Sequence, residues 1–286
     1  MTEPGSSSAP SIQAPKSSPA GTCDCHIHIY GPSGRYPVAP TSPFPVEERP
    51  VAAYRAVMKR LGIERVVVVQ PSAYGTDNRC TLDAMAELGD LSRGVAVVDE
   101  TITDSELRSL TEAGILGIRF FMLRGGVLPW SALEPMAARV AAFGWHVQLQ
   151  MDGRDLPDRV DSLLRLPGEL VIDHTGKFLE PVGTDHPGYR ALLRLLENGK
   201  TWVKLAAPYE TSKEGAPRFM DVGRLARGLV TAAPERMVWA SNWPHPSAQD
   251  NPPDDAQLLD VLRYWVEDDS LTARILAENP AKLYGF

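Results

Sequence analysis

Eight short apolar segments that alternate with helical patterns constrain the fold of this chain more than any other feature. The clearest segment, Arg65 to Gln70, carries four consecutive valines. A run that is apolar on both faces is typical of a parallel strand covered by helices on both sides. The predicted strands are Asp24 to Ile29, Arg65 to Gln70, Gly94 to Val98, Leu116 to Phe121, His146 to Gln150, Leu170 to His174, Thr201 to Leu205 and Met237 to Ser241.

Helical patterns fill the intervals between these strands. They cover Val51 to Leu61, Asn78 to Leu88, Asp104 to Ala113, Trp130 to Phe143, Leu156 to Leu164, Pro187 to Glu197, Phe219 to Ala232 and the chain from Asp254 onward. This alternation predicts an α/β fold, a (β/α)8 TIM-type barrel, with an open doubly wound sheet as the rival. A barrel of this kind commonly needs a chain of this length, so we predict a single domain over residues 22–286.

The first 21 residues differ in composition from the rest of the chain. They are rich in Ser, Pro and Ala and contain no apolar stretch. Such a composition predicts a disordered tail rather than a signal peptide.

Polar side chains at the ends of the predicted strands favour the barrel over the open sheet. In a barrel the carboxyl ends of all strands surround one mouth, where catalytic groups lie. The residues at these positions are His26, His28, Gln70, Ser72, Arg119, Arg124, Gln148, Gln150, Asp173, His174, Lys177, Lys204, Tyr209, Asn242 and His245. We therefore expect a common site at one end of the barrel.

His26 and His28 are the most suggestive pair in this set. Residues two apart on a strand point to the same face. Two imidazoles on one face can ligate one metal ion or bind one polarised oxygen. The alternative is a histidine pair on a solvated edge.

Composition limits the partners of the chain. The formal charge of −7 argues against nucleic acid but leaves small anions open. No apolar run is long enough to cross a membrane. Three cysteines, an odd number without a disulfide framework, fit a reducing cytoplasm. A homo-oligomer remains open.

Several motifs resemble the amidohydrolase superfamily, in particular its lactone-processing branch of pyrone dicarboxylate lactonases, sulfomuconolactone hydrolases and galactarolactone isomerases. The matching segments are Asp24 to His28, Gln70 to Asn78, Gly117 to Phe120, Gln150 to Gly153, Asp173 to Phe178, Asn242 to Pro246 and Glu278 to Pro280. The resemblance extends from residue 24 to the end of the chain.

The resemblance implies roles for the strand-end residues. His26, His28 and His174 would surround the lactone carbonyl, and cationic side chains would hold the carboxylate of a small anionic lactone. Arg119 and Arg124 suit the second task, because a guanidinium presents a planar fork to a carboxylate. The further substrate contacts expected are Gln70, Ser72, Gln150, Lys177 and Tyr209.

The chain departs from its hydrolytic relatives at the eighth strand. These relatives carry Asp there, whereas this chain has Asn242, and an amide has no useful basicity near neutral pH. Water activation would then fall to a neutral imidazole, His174 or His245. We expect no tightly bound metal or other cofactor; if zinc is present, His26, His28 and His174 are its expected ligands.

These observations predict hydrolysis of a small carboxylated or sulfonated lactone in aromatic or sugar-acid catabolism. The expected catalytic residues are His26, His28, His174, Asn242 and His245. The alternative reaction is isomerisation of a sugar-acid lactone such as galactarolactone, because Asn242 lies in a segment that resembles the isomerase. A barrel that binds such ligands without turnover is a further alternative.

Overall fold

The computed structural model describes residues 17–42 and 46–286. The first sixteen residues of the predicted tail, and Phe44 of the Pro-rich segment Ser33 to Pro50, lie outside the described residues. Eight strands are present: β1 (Cys23–Ile27), β2 (Arg65–Val69), β3 (Ser92–Ala96), β4 (Ile115–Phe121), β5 (His146–Gln150), β6 (Leu170–Ile172), β7 (Thr201–Ala206) and β8 (Met237–Ala240).

Helices follow the strands along the chain. They are α1 (Val51–Leu61), α2 (Arg79–Leu88), α3 (Asp104–Glu112), α4 (Leu133–Ala141), α5 (Val160–Leu164), α6 (Pro187–Glu197), α7 (Met220–Ala232), α8 (Asp255–Val266), α9 (Asp269–Ala273) and α10 (Asn279–Tyr284). Within the described ranges, none of these helices is long and apolar enough to cross a membrane.

All neighbouring strands pair in parallel, in the order β1 to β8. The ring closes where the backbone of β1 meets the residues after β8. The amide of Asn242 donates to the carbonyl of His26 at 3.0 Å, and the amide of His28 donates to the carbonyl of Trp243 at 2.8 Å. The prediction of a (β/α)8 barrel, rather than an open sheet, is confirmed.

Two predicted element boundaries differ for identifiable reasons. β6 ends at Ile172 rather than His174, because His174 adopts a positive φ of 54° and the chain leaves the sheet there. α5 begins at Val160 rather than Leu156, since the preceding residues form a tighter 3₁₀ turn that contains Pro157.

β1 contains a bulge that sets the direction of its histidines. The pairing register with β2 shifts between Asp24 and Ile27. Cys25 packs in the apolar cluster inside the barrel, whereas Ile27 packs in the cluster between strands and helices. The bulge re-aims the strand end, so that His26 also reaches the barrel interior.

Asp24 links β1 to β8 and to α1. Its carboxylate accepts hydrogen bonds from the Ser241 amide at 2.9 Å, the Ser241 hydroxyl at 2.5 Å and the Tyr54 hydroxyl at 3.0 Å. Burial nevertheless raises the pKa of Asp24 to about 6. The side chain is completely enclosed, so no water can take the place of the carboxylate as the acceptor for these donors.

Asp24→Ala should therefore destabilise the barrel by about 3 to 5 kcal/mol, since it leaves several buried donors without an acceptor. Urea unfolding at pH 8 measures this loss. Tyr54→Phe, which removes one of these hydrogen bonds, is the matched control and should cost about 1 to 2 kcal/mol. A loss below about 1 kcal/mol for Asp24→Ala would contradict a structural role for this network.

Candidate active site

A cavity of about 330 Å³ opens at the carboxyl ends of the strands. Its walls come from the ends of seven of the eight strands or the segments that follow them, and from the Pro-rich segment. The lining residues are His28, Tyr30, Val46, Pro71, Ser72, Ala73, Arg119, Phe121, Leu123, Arg124, Gln150, His174, Lys177, Leu179, Glu210, Asn242, Pro246, Ser247 and Gln249.

Most residues predicted for the site lie at this cavity. The structure brings eight of them to its wall: His28, Ser72, Arg119, Arg124, Gln150, His174, Lys177 and Asn242. The other four, His26, Gln70, Tyr209 and His245, lie behind it, and each has a hydrogen bond to a wall residue.

His26 and His28 form a directed chain of hydrogen bonds. Their Nε2 atoms are 3.2 Å apart, and His28 Nδ1 lies 2.7 Å from the carbonyl oxygen of Val69. A carbonyl accepts only, so His28 carries its proton on Nδ1, and its Nε2 accepts from His26. Burial lowers the pKa of His28 to about 3 and that of His26 well below its usual value. Both rings are therefore neutral.

His174 presents one ring nitrogen to the cavity. Its Nδ1 is enclosed and has no hydrogen-bond partner in the described part of the chain, so Nε2 is the nitrogen available at the cavity wall. Burial lowers the pKa of His174 well below its usual value. An enclosed N–H without a partner is rarer than an enclosed lone pair, which favours the tautomer with the proton on Nε2. A neutral N–H donor of this kind can polarise a carbonyl.

Left-handed backbone conformations concentrate around the cavity. The residues with positive φ there are His174, Thr175, Lys177, Ala207, Asn242 and His245. Such conformations cost about 1 to 3 kcal/mol each for residues other than Gly and are typical of functional sites.

A buried polar cluster lies under the histidine pair. Lys204 Nζ donates to Gln148 Oε1 at 2.7 Å and lies 3.5 Å from Asp173 Oδ1. Gln148 Nε2 donates to Asp173 Oδ2 at 3.0 Å. Burial would raise the pKa of Asp173, but neighbouring cations, Lys204 foremost, hold it below its usual range. All three side chains are completely enclosed.

Zinc fits this cluster poorly. Among the described residues, His26, Asp173 and His174 place one ligand atom each within 4.8 Å of one another, whereas His28, an expected ligand, is not in the group. The Lys204 ammonium lies 3.4 Å from His26 Nδ1 and 3.5 Å from Asp173 Oδ1. A fixed positive charge so close to two of the three donors opposes a second cation.

Arg119 is a buried cation at the cavity wall. Its guanidinium donates to the Gln70 carbonyl at 2.9 Å and to Gln150 Oε1 at 3.0 Å, while Nε has no partner. No carboxylate of the described residues lies within ion-pair distance. Since a buried guanidinium gains most from an anionic partner, Arg119 is suited to a ligand carboxylate.

The other cavity cations have different surroundings. Lys177 pairs with Glu210, whose other oxygen accepts from the Ser247 hydroxyl. Arg124 lies exposed at the rim. Arg119 is therefore the buried cation of the cavity that has no paired carboxylate among the described residues.

A hydrogen-bonded relay runs behind Asn242. The Asn242 amide donates to the Tyr209 hydroxyl at 2.9 Å, and this hydroxyl lies 3.0 Å from His245 Nδ1. His245 Nε2 lies 3.0 Å from Asp255 Oδ1. A carboxylate on Nε2 fixes the proton there and leaves Nδ1 as an acceptor, as in a catalytic triad.

Gln70 supports the cavity from behind. Its side-chain nitrogen donates to the carbonyls of Gly75 and Asp77, and its oxygen accepts from the Thr81 hydroxyl at 2.6 Å. These bonds fix the segment that carries Ser72. The side chain has no donor left for a ligand, whereas its backbone carbonyl holds Arg119.

Four residues of the hydrogen-bonded networks had been given no role, although Gln148, Asp173 and Lys204 were among the strand-end residues expected at the common site. Lys204 and Gln148 lie at alternate positions of β7 and β5, where a barrel points side chains inward. Asp173 directly precedes His174. Asp255, by contrast, begins a helix ten residues after His245, and nothing in the local sequence connects the two.

Comparison with known proteins places these features in context. The family model described as Amidohydrolase matches residues 23–286. D-galactarolactone isomerase of Agrobacterium fabrum is 38% identical over 93% of this chain and 91% of the relative. The 2-pyrone-4,6-dicarbaxylate hydrolase of Comamonas testosteroni is 34% identical over 93% and 90%.

The fold comparison agrees. A crystal structure of an Agrobacterium tumefaciens protein without ligand is 38% identical, superposes with a TM-score of 0.88, and covers 94% of this chain and 97% of its own. The resemblance inferred from the strand-end motifs is thus confirmed over nearly the whole chain.

Proposed function

Because the chain belongs to the amidohydrolase family, and its relatives include lactone hydrolases and a lactone isomerase, we propose that it hydrolyses a small carboxylated lactone. The observation that carries the proposal is Arg119, a buried guanidinium without a carboxylate partner among the described residues, at the same cavity wall as His174. Arg119 suits the carboxylate of the lactone, and His174 suits its ester carbonyl.

In this proposal Arg119 binds the carboxylate through its planar fork, and Gln150 holds the guanidinium in place. Arg124 at the rim attracts the anion toward the cavity. Ser72 and Lys177 line the wall around the ring. The cavity volume of about 330 Å³ is at the lower end for small-molecule sites, which suits a single ring with its substituents.

The chemical step requires a polarised carbonyl and a proton acceptor. His174 donates a hydrogen bond to the carbonyl oxygen, and His28, held by His26 and the Val69 carbonyl, orders the wall beside it. Asn242 orients the attacking water, whose proton passes through the Tyr209 hydroxyl to His245 Nδ1, and Asp255 stabilises the resulting imidazolium. When the acyl C–O bond of the lactone breaks, the same relay returns this proton to the ring oxygen that leaves as a hydroxyl. Burial raises the pKa of Tyr209 well above its usual value, so it acts as a hydroxyl and not as a phenolate.

Isomerisation of a sugar-acid lactone is the second candidate, and Asn242 is the observation that favours it. An amide cannot activate water directly, while a hydroxyl of the substrate could attack the same carbonyl and release its proton to the same relay. The relay supplies the proton acceptor that Asn242 lacks, so hydrolysis does not require a carboxylate at this position, and the relay can serve either reaction.

Oxygen-18 water separates the two reactions. Hydrolysis should release one equivalent of acid per turnover and place one labelled oxygen in the open-chain product, because water is the attacking nucleophile. Mass spectrometry and proton release, on lactones from aromatic and sugar-acid catabolism, measure both. A rearranged lactone ring that carries no label would establish the isomerase instead.

A further inference from the structure

The buried cluster of Lys204, Gln148 and Asp173 lies beneath the histidine pair and has no role in the ligand contacts described above. Lys204 lies inside β7 and is completely enclosed. We propose that its ammonium group takes the place of a catalytic metal ion: it fixes His26 and Asp173 as a metal would, and it keeps a divalent cation out.

The partners of Lys204 match what an ammonium group can bind. Its three N–H donors face Gln148 Oε1 at 2.7 Å, His26 Nδ1 at 3.4 Å and Asp173 Oδ1 at 3.5 Å. His26 and Asp173 are also two of the three residues whose ligand atoms are close enough to share a metal ion. The ammonium group therefore already binds ligand atoms that a metal ion would need.

This contact agrees with the direction of the hydrogen bonds above it. Lys204 Nζ and Gln148 Nε2 each lie 3.4 Å from His26 Nδ1, and Asp173 Oδ1 lies at the same distance. Because His28 Nε2 accepts from His26, His26 carries its proton on Nε2, and its Nδ1 accepts from the Lys204 ammonium. That proton points to His28 Nε2, and His28 then donates from Nδ1 to the Val69 carbonyl. Lys204 is thus a positioning residue, since it acts on the cavity wall through both rings.

Charge also explains the exclusion of a metal. A dication bound by His26 and Asp173 would lie within a few ångströms of a buried ammonium, where repulsion is weakly screened. Arg119 and Lys177 affect the pKa of His26 with the same sign as Lys204 but less strongly. Removal of the Lys204 ammonium removes the largest repulsion and should therefore create a metal site.

The test is zinc binding by the purified full chain, measured by equilibrium dialysis with zinc chloride and by the absorbance of cobalt(II) as a probe. The wild-type protein should retain far less than one zinc per chain. Lys204→Met and Lys204→Gln should bind about one zinc, with an affinity raised by about a hundredfold or more. The glutamine variant keeps a polar partner for Gln148. It provides a second test in case the apolar methionine side chain prevents folding.

Two comparisons decide the outcome. Lys177→Met removes a buried lysine of the same cavity that is paired with Glu210, and it should not gain zinc. His174→Ala in the Lys204→Gln background should abolish the gain. Stoichiometric zinc in the wild-type protein, lost on His174→Ala, would overturn the proposal, as would a folded Lys204 variant that binds no more zinc than the wild type.

Discussion

Arg119→Met should raise the KM for a carboxylated lactone by roughly ten- to a thousand-fold, because a charge-assisted pair in a buried site is lost. Arg119 is about 5% exposed, and the hydrogen bonds of its guanidinium to the Gln70 carbonyl and Gln150 hold the fork in one orientation. The remaining N–H groups of the guanidinium have no carboxylate partner among the described residues. Steady-state kinetics over a range of lactone concentrations measures the effect.

The charge explanation has a matched control at the rim. Arg124→Met removes an exposed guanidinium of the same cavity and should change KM much less, since solvent screens its charge. An uncharged lactone of the same ring size should lose little with either variant. Equal losses for charged and uncharged lactones would assign Arg119 to the structure of the wall instead.

Asp255→Asn should lower kcat by about 100- to 10,000-fold with little change in KM, because an asparagine can stabilise the wrong tautomer of His245. Asp255 accepts from His245 Nε2 and thereby leaves Nδ1 free to accept from Tyr209. An amide group that donates to Nε2 would place the proton on Nδ1 and remove the acceptor. The kcat and KM values are obtained from the same kinetic series.

Asp254 provides the control for this prediction. It caps the N-terminus of α8 and pairs with Arg60 at 2.8 Å, but it has no contact with His245 among the described hydrogen bonds. Asp254→Asn preserves a good cap and should leave kcat unchanged. Tyr209→Phe interrupts the relay one step earlier and should reduce kcat as Asp255→Asn does. An unchanged kcat for both relay variants would place the proton acceptor elsewhere.

The fold was largely predictable because its determinants are local. Each strand is a short apolar run and each helix has its own periodicity, so Arg65–Val69 or Pro187–Glu197 can be recognised without knowing their neighbours. Two of the boundaries that differ from the prediction lie where the backbone leaves regular geometry. His174, with its positive φ, shortens β6, and the turn with Pro157 shortens α5.

For the site, the strand pattern was enough to predict which side chains reach the mouth of the barrel, since the carboxyl ends of parallel strands surround it. His28, Arg119, Gln150 and His174 were found in this way. Which of the strand-end side chains bind one another was not predictable, because hydrogen bonds across a barrel join residues far apart in the chain.

The chemistry open to these groups depends on packing between distant parts of the chain. The tertiary structure placed Lys204 of β7 against His26 of β1, 178 residues earlier, and Asp255 at the start of α8 against His245. It also enclosed the histidines so fully that burial, rather than residue type, keeps His26, His28 and His174 neutral. Burial and proton direction depend on the whole packed barrel, and no local pattern encodes them.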